Sequence, residues 1–329
     1  MNKTVAVIIV LLVSVIFIGG ISVMAVNSEG QGWPWDWHLD WNWDWFSFRG
    51  ERVDVDESAD FSPAGVTEVD ISLPFGNVDV EAGEPGAELK GYFNVNEKKD
   101  QYLFVTTEDG KLRIEFDPGK LPVNQNSNLR MTVRLPQELA AGLRLTNSSC
   151  DIHITGISAK GMTVPNSSGN MDITGCSGGA LDADLTSGNL YVTDGDFTGI
   201  DADCHSGNVR IENKNGPINV QNTSGNININ AVSGTVCANN SSGNIDIYMS
   251  GKELSGITAK LSSGNLSLYL DPQAAFTLDA RTSSGNVSCG FDILVSGGTD
   301  RSRIESDVGG GGAAVKLTTS SGNVNVQKR

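Results

Sequence analysis

The sequence predicts an all-β chain, a parallel β-solenoid (β-helix-like) of roughly 18–21-residue coils preceded by one N-terminal transmembrane helix. Three observations predict it. Ser-Gly-Asn recurs eight times, with its glycines at Gly169, Gly188, Gly207, Gly225, Gly243, Gly264, Gly285 and Gly322. Apolar and polar residues alternate on both sides of each recurrence. An apolar run without charge, Thr4 to Val26, precedes everything else. A repeat of about 20 residues implies stacked units, none of which can bury its apolar face alone.

The N-terminal run is 23 residues long, enough to span a bilayer as a helix. Residues 1–27 are read as a transmembrane anchor or signal segment. Val23-Met24-Ala25 suits signal-peptidase cleavage, which would make the protein secreted, but the run is longer than a usual signal-peptide core and favours a retained anchor. Lys3 supports an inside N-terminus. The expected location is therefore the cell membrane, single-pass, with the C-terminal domain extracytoplasmic.

Residues 28–50 form a Trp-rich juxtamembrane neck holding all six tryptophans: Trp33, Trp35, Trp37, Trp41, Trp43 and Trp45. Indole rings suit the headgroup zone, where an apolar ring and an N–H donor are both satisfied. A membrane-interface belt is the favoured reading. The same rings could instead cover the first coil or stack against sugars.

Residues 51–145 are read as irregular N-terminal coils and residues 146–329 as the regular repeat. In the regular part, inward aliphatic residues stand two and four positions after the turn glycine, as in Met171/Ile173, Ile227/Ile229 and Val324/Val326. They also stand seven and five before it, as in Leu181/Ala183, Ile218/Val220 and Val315/Leu317. Period two marks a strand with one buried face. Each coil is then strand, turn, strand, and strands of successive coils pair in parallel. The glycine fits positive φ or close backbone stacking. Asn170, Asn189, Asn208, Asn226, Asn244, Asn265, Asn286 and Asn323 fall one above another and are expected to form a hydrogen-bonded ladder.

Weaker copies extend the pattern backwards. Cys150 takes the turn-glycine position, 19 residues before Gly169. Asp109-Gly110 and Gly76-Asn77 are read as two earlier coil turns. Roughly 13 or 14 coils at about 4.8 Å each would give a rod of about 65 Å. The stretch from Asp292 to Val308 breaks the period and reads as an irregular coil or excursion. The last strand ends at Val326, where Gln327-Lys328-Arg329 would discourage end-to-end pairing of the exposed edge.

With 39 acidic and 23 basic residues, a net charge of −16, the chain has no basic stripe for phosphates and is not expected to bind nucleic acid. The five cysteines are an odd number in different registers and lack Cys-x-x-Cys spacing, so buried free thiols are expected. His38, His153 and His205 lie far apart and have no evident nucleophile partner; His153 and His205 read as surface residues. There is no phosphate loop, no His-Glu-x-x-His and no nucleophile elbow. No catalytic residue is assigned, and the chain is not expected to be an enzyme. No cofactor is expected, with one speculative exception. Asp182 and Asp184 in one coil occupy the positions of Asp201 and Asp203 in the next. Four carboxylates in register could hold a weak Ca²⁺, or form a solvated acidic face.

These features give a resemblance. The Ser-Ser-Gly-Asn turns, Phe75-Gly76-Asn77-Val78-Asp79-Val80 and Val133-Arg134-Leu135-Pro136 make residues 66–329 similar to the putative adhesin family, a Ser-Gly-Asn-repeat β-solenoid surface domain of unknown function. The resemblance implies an exported or single-span β-solenoid, with some relatives linked to envelope-stress signalling, and supplies no catalytic residues. The expected function is a non-catalytic cell-surface protein presenting a β-solenoid for adhesion or scaffolding at the cell envelope. Its expected partners are the membrane, through the N-terminal helix, and an envelope polysaccharide or a surface or membrane protein. The alternative is a sensory or regulatory ectodomain that binds a membrane partner; a carbohydrate-active enzyme is the third class.

Overall fold

The coil built on Gly225 shows why this sequence folds as it does. Its strands are Ile218–Ser224 and Ile227–Ala231. Ile218, Val220, Ile227 and Ile229 point inward and are buried, while Asn219, Gln221 and Asn228 alternate outward. Burying each of these aliphatic side chains contributes about 1.5–3 kcal/mol. The coil cannot achieve that alone. Val220 lies opposite Ala202 in one neighbouring coil and Ala238 in the other, and Ile229 lies opposite Ile211 and Ile247. All four pairings are parallel and without slip.

A computed structural model describes residues 50–122, 126–293 and 301–329. Every regular element among them is a strand. The anchor over residues 1–27 and all six neck tryptophans lie outside the described residues. Ser47–Arg329 forms one compact unit, and its buried residues form one continuous cluster along the stack.

The turn geometry locks the register. The eight repeat glycines have φ between +110° and +145°, a region that only glycine enters freely. Their backbones also touch: a Cβ on Gly225 would lie 2.0 Å from the Gly207 carbonyl oxygen. Beside them runs the asparagine ladder. The Asn208 backbone N–H and Nδ2 both donate to Asn189 Oδ1, at 2.9 and 3.1 Å. The ladder starts at Asp151, whose Oδ1 accepts from the Asn170 N–H at 2.7 Å.

Near its C-terminal end the ladder leaves chain order. The Asn323 N–H donates to Asn265, and the Asn286 N–H donates to Asn323. The last coil in sequence, Ala313–Ser321 with Val324–Lys328, therefore sits between the Gly264 and Gly285 coils. The other end has the same device. Glu68–Ala82 lies between the Cys150 coil and a coil made of Lys111–Phe116 and Asn128–Leu135. Each end of the stack is thus a coil from inside the sequence.

Antiparallel strands then cover both ends. Arg303–Val308 pairs with Phe276–Ser284 at one. At the other, Leu103–Glu108 covers Lys111–Phe116, Gly86–Val95 covers Asn128–Leu135, and Glu51–Asp60 adds outside Gly86–Val95. Phe75, Phe93, Tyr102 and Phe116 plug this end in edge-on contacts, with Phe93 to Phe116 at 5.0 Å and 88°. Aromatic rings fill the taper that aliphatic columns leave at a closed end, and the antiparallel strands satisfy edge groups that would otherwise invite aggregation.

Three expectations are corrected here. Asp109-Gly110 is not a coil turn. It closes the antiparallel hairpin of Leu103–Glu108 and Lys111–Phe116, with φ of +50° and +74° at its two residues; Asp-Gly between alternating strands is a strong hairpin signal. The stack is shorter than the expected 13 or 14 coils, because residues 51–60, 86–95 and 103–108 are caps. Finally, Val326 does not end the stack, since Val324–Lys328 has neighbours on both sides.

Candidate binding groove

Counting back from each turn glycine, the third residue points into the core even where it is polar. Asn147, Asn166, Asn222, Asn240, Thr282 and Thr319 are all buried there. In all of these but Asn147, whose Oδ1 accepts from the Leu73 N–H, the donors reach the turn carbonyl of the adjacent coil. Asn240 Nδ2 donates to Gly225 O at 2.7 Å, Asn222 Nδ2 to Gly207 O at 3.1 Å, and Thr282 Oγ1 to Gly322 O at 2.8 Å. A buried carbonyl left without a partner would cost about 1–3 kcal/mol. Sequence reading missed this column because its residue types mix Asn, Thr, Leu and Cys.

The inward column forms the floor of a groove, and the outward residues on either side form its walls. One cleft of about 610 Å³ runs from Asp203 and His205 through Gln221, Asn239 and Lys260 to Ser320. A second, of about 370 Å³, continues it from His205 back to Asn147. Asp203 and His205 line both, so the groove follows the stack axis across successive coils. Ser, Thr, Asn and Gln make most of its wall, supplying both donors and acceptors.

The four aspartates fall where the period places them. Asp182 is opposite Asp201 and Asp184 is opposite Asp203, all exposed. Partial burial, and then the charges of Asp182, Asp203 and Asp201, push the Asp184 carboxyl above its usual range. Asp201 is relieved by an amide, with Asn219 Nδ2 donating at 2.9 Å. Among the described residues, no three His, Cys, Asp or Glu side chains converge as a metal ion requires. The two carboxylate pairs stack on an open face.

A raised carboxyl pKa means that the folded chain holds the proton more tightly than the unfolded one. The folded state is thus penalised above the folded pKa and relieved as pH falls through it. Asp184→Asn should raise the melting temperature by about 1 °C at pH 7, a small effect because the group is solvated. The gain should shrink at acidic pH and in high salt. A lower melting temperature at pH 7 would show that Asp184 holds the coils together instead.

The groove thiol is held protonated. Burial, then the charges of Asp203 and Asp184, push Cys204 up to about 12, and burial pushes Cys150 up to about 12 as well. All five cysteines are free, with Cys150, Cys176 and Cys204 buried. His205 lines the groove, but His153 is elsewhere, on the strands after the turn. It lies between Asp79 and Asp172, with Nδ1 3.2 Å from Asp79 Oδ1 and Nε2 3.4 Å from Asp172 Oδ2. Its side chain is 44% exposed, beside two carboxylates and, among the described residues, no nucleophile. The period contained one of those neighbours, since Asp172 follows His153 by 19 residues.

The strongest likeness to known proteins is at the family level. No curated protein matches the chain. Among solved structures, a putative adhesin from Bacteroides fragilis is 14% identical, with 84% of this chain and 97% of that chain covered and a TM-score of 0.38. A putative lipid binding protein from Parabacteroides distasonis is 13% identical, with 82% and 96% covered and a TM-score of 0.36. A putative cell adhesion protein from Clostridium sporogenes is 12% identical, with 84% and 100% covered and a TM-score of 0.24. The family described as Toastrack DUF4097 matches residues 118–253 and again 215–327, an overlapping pair that covers the stacked strands from Asn128 onward. On that match, over more than half of its length, this chain belongs to the Toastrack DUF4097 family.

Proposed function

We propose that this is a non-catalytic cell-surface protein, held at the membrane by residues 1–27, that presents its β-solenoid for adhesion or scaffolding at the cell envelope. The supporting observation is the groove. Hydroxyl and amide side chains recur in it from Asn147 to Ser320, interrupted at the Gly207 coil, which contributes Asp203, Cys204 and His205, with coils spaced at about 4.8 Å. An extended polymer laid along the axis meets similar partners at most steps. The groove is open along its length, which suits binding better than a reaction that must exclude water. The partner class is an envelope polysaccharide or a surface protein. A net charge of −16 disfavours nucleic acid.

The test is a column of immobilised residues 47–329 challenged with envelope extract, beside a second column carrying Gln221→Ala and Asn239→Ala. Both substitutions are on the groove wall, so retention should fall about tenfold if each lost contact is worth a typical hydrogen bond. Equal retention on the two columns would remove the groove from the function. Retention of an integral membrane protein alone would instead favour the sensory ectodomain.

A further inference from the structure

We propose that two copies of this chain pair face to face through the groove-bearing strands, antiparallel, about a two-fold axis between the Gly225 and Gly243 coils. The argument rests on the order of charges along that face. Asp182, Asp184, Asp201 and Asp203 occupy the Gly188 and Gly207 coils. Asn219, Gln221 and Asn239 occupy the next two coils, with Cys237. Lys260 and Lys316 follow in the Gly264 and Gly322 coils. Three coil spacings, about 14 Å, separate Asp203 from Lys260. That is too far for a direct ion pair within one chain.

Some charges on the stack are neutralised within one strand, as in Arg210–Glu212 and, one coil beyond Lys316, Arg281–Asp279. These six have no ion-pair partner among the described residues. A two-fold at the centre of the amide stretch carries the Gly188 coil onto the Gly322 coil of the second copy, and the Gly207 coil onto its Gly264 coil. Asp182 then faces Lys316 of the second copy and Asp203 faces its Lys260, while Asp184 and Asp201 face the threonines beside those lysines, Thr318 and Thr258. The amides meet amides at the axis. A parallel arrangement would put carboxylates on carboxylates, so the pattern selects one orientation. The contact is isologous and closes at two copies. The overall charge of −16 opposes association, but it is screened beyond about 8 Å in physiological salt, so the local pattern decides the contact. An antiparallel pair points its two N-terminal ends in opposite directions, as copies anchored in facing surfaces would need; that last step rests on the anchored reading above.

The test uses the full chain in a non-ionic detergent, carrying two different tags, with co-capture as the readout. Wild type should capture wild type, and less so as salt is raised. Lys260→Glu with Lys316→Glu should lose self-capture by at least about tenfold. Lys260→Gln with Lys316→Gln should weaken it in the same direction. Replacing Asp182, Asp184, Asp201 and Asp203 together with Lys should also abolish self-capture. Mixing the all-acidic with the all-basic variant should restore it. Cys237 is half-buried near the proposed axis, so a short bismaleimide should join two copies of wild type and fail with Cys237→Ser. Absent wild-type capture, or unaltered self-capture by the two Lys variants, would overturn the proposal. So would failure of the mixture when both members keep the wild-type melting temperature. Pairing covers Gln221 and Asn239, so a paired chain presents no free groove; loss of self-capture by the Lys variants, which keep both groove amides, is distinguished from loss of envelope retention by the Gln221→Ala and Asn239→Ala column.

Discussion

Gly243→Ala should destabilise the stack by about 3 kcal/mol or more, whereas Gly175→Ala should cost about 1 kcal/mol. Both glycines have positive φ, +119° at Gly243 and +61° at Gly175. At Gly175 that is the left-handed region, which alanine can enter at modest cost, and an added Cβ meets nothing within 4 Å. At Gly243 the backbone lies outside that region, and the added Cβ would be 2.0 Å from the Gly225 carbonyl oxygen. Neither side can yield independently. The Gly243 N–H donates to Ser263 O at 3.1 Å, and the Asn244 N–H to Asn226 Oδ1 at 2.9 Å, so moving the turn breaks both neighbours. Chemical denaturation of the two variants beside wild type measures the difference. Equal losses would mean that positive φ alone, rather than glycine-on-glycine stacking, sets the requirement.

The repeat was legible because each coil carries the same signals in the same places. Period two fixed which residues face inward, and the spacing of the glycines fixed which residues lie opposite one another. Asp182 over Asp201 and Asn189 over Asn208 are both direct consequences of a 19-residue step. The departures have different physical causes. Asp109-Gly110 carried two compatible signals, a weak coil turn and a strong hairpin turn, and the antiparallel pairing of its flanks decided between them. The inserted C-terminal coil was not legible, because its inward residues fit either place. Val315 and Leu317 pair with Ile257 and Ala259 on one side and with Leu278 and Ala280 on the other. Those same residues would stack equally well at an end. Only the 37-residue gap before Gly322 hinted at a detour. The groove was half legible: its walls followed from the outward columns, but its polar floor needed the turn carbonyls, which no side-chain pattern displays.

Ending the chain at Gly312 should open the stack at the Gly264 coil and release the Gly285 coil with its cap. In the intact protein, Ala313–Ser321 and Val324–Lys328 hydrogen-bond in both directions. The Gly264 N–H donates to Ser321 O at 2.9 Å, and the Gly322 N–H to Ser284 O at 2.8 Å. Removing a coil at an ordinary end exposes one edge; removing this one exposes two. The connection between the separated coils is itself folded for the wider step. Asp271 Oδ1 accepts from the Gln273 N–H at 2.8 Å, Ala274 is buried, and Phe276 packs edge-on against Phe291 at 5.3 Å. Amide protection over Phe276–Ser284 should therefore fall by about a thousandfold, or about 4 kcal/mol, while the coils before Gly243 keep theirs. A peptide spanning residues 313–329 should bind the shortened chain and restore protection, since the vacant place offers two strand edges in the correct register. If Phe276–Ser284 instead stayed protected and the peptide did not bind, the Gly264 and Gly285 coils would have closed directly on each other. The inserted coil would then be one of two accessible orders of stacking rather than the one that holds this end together.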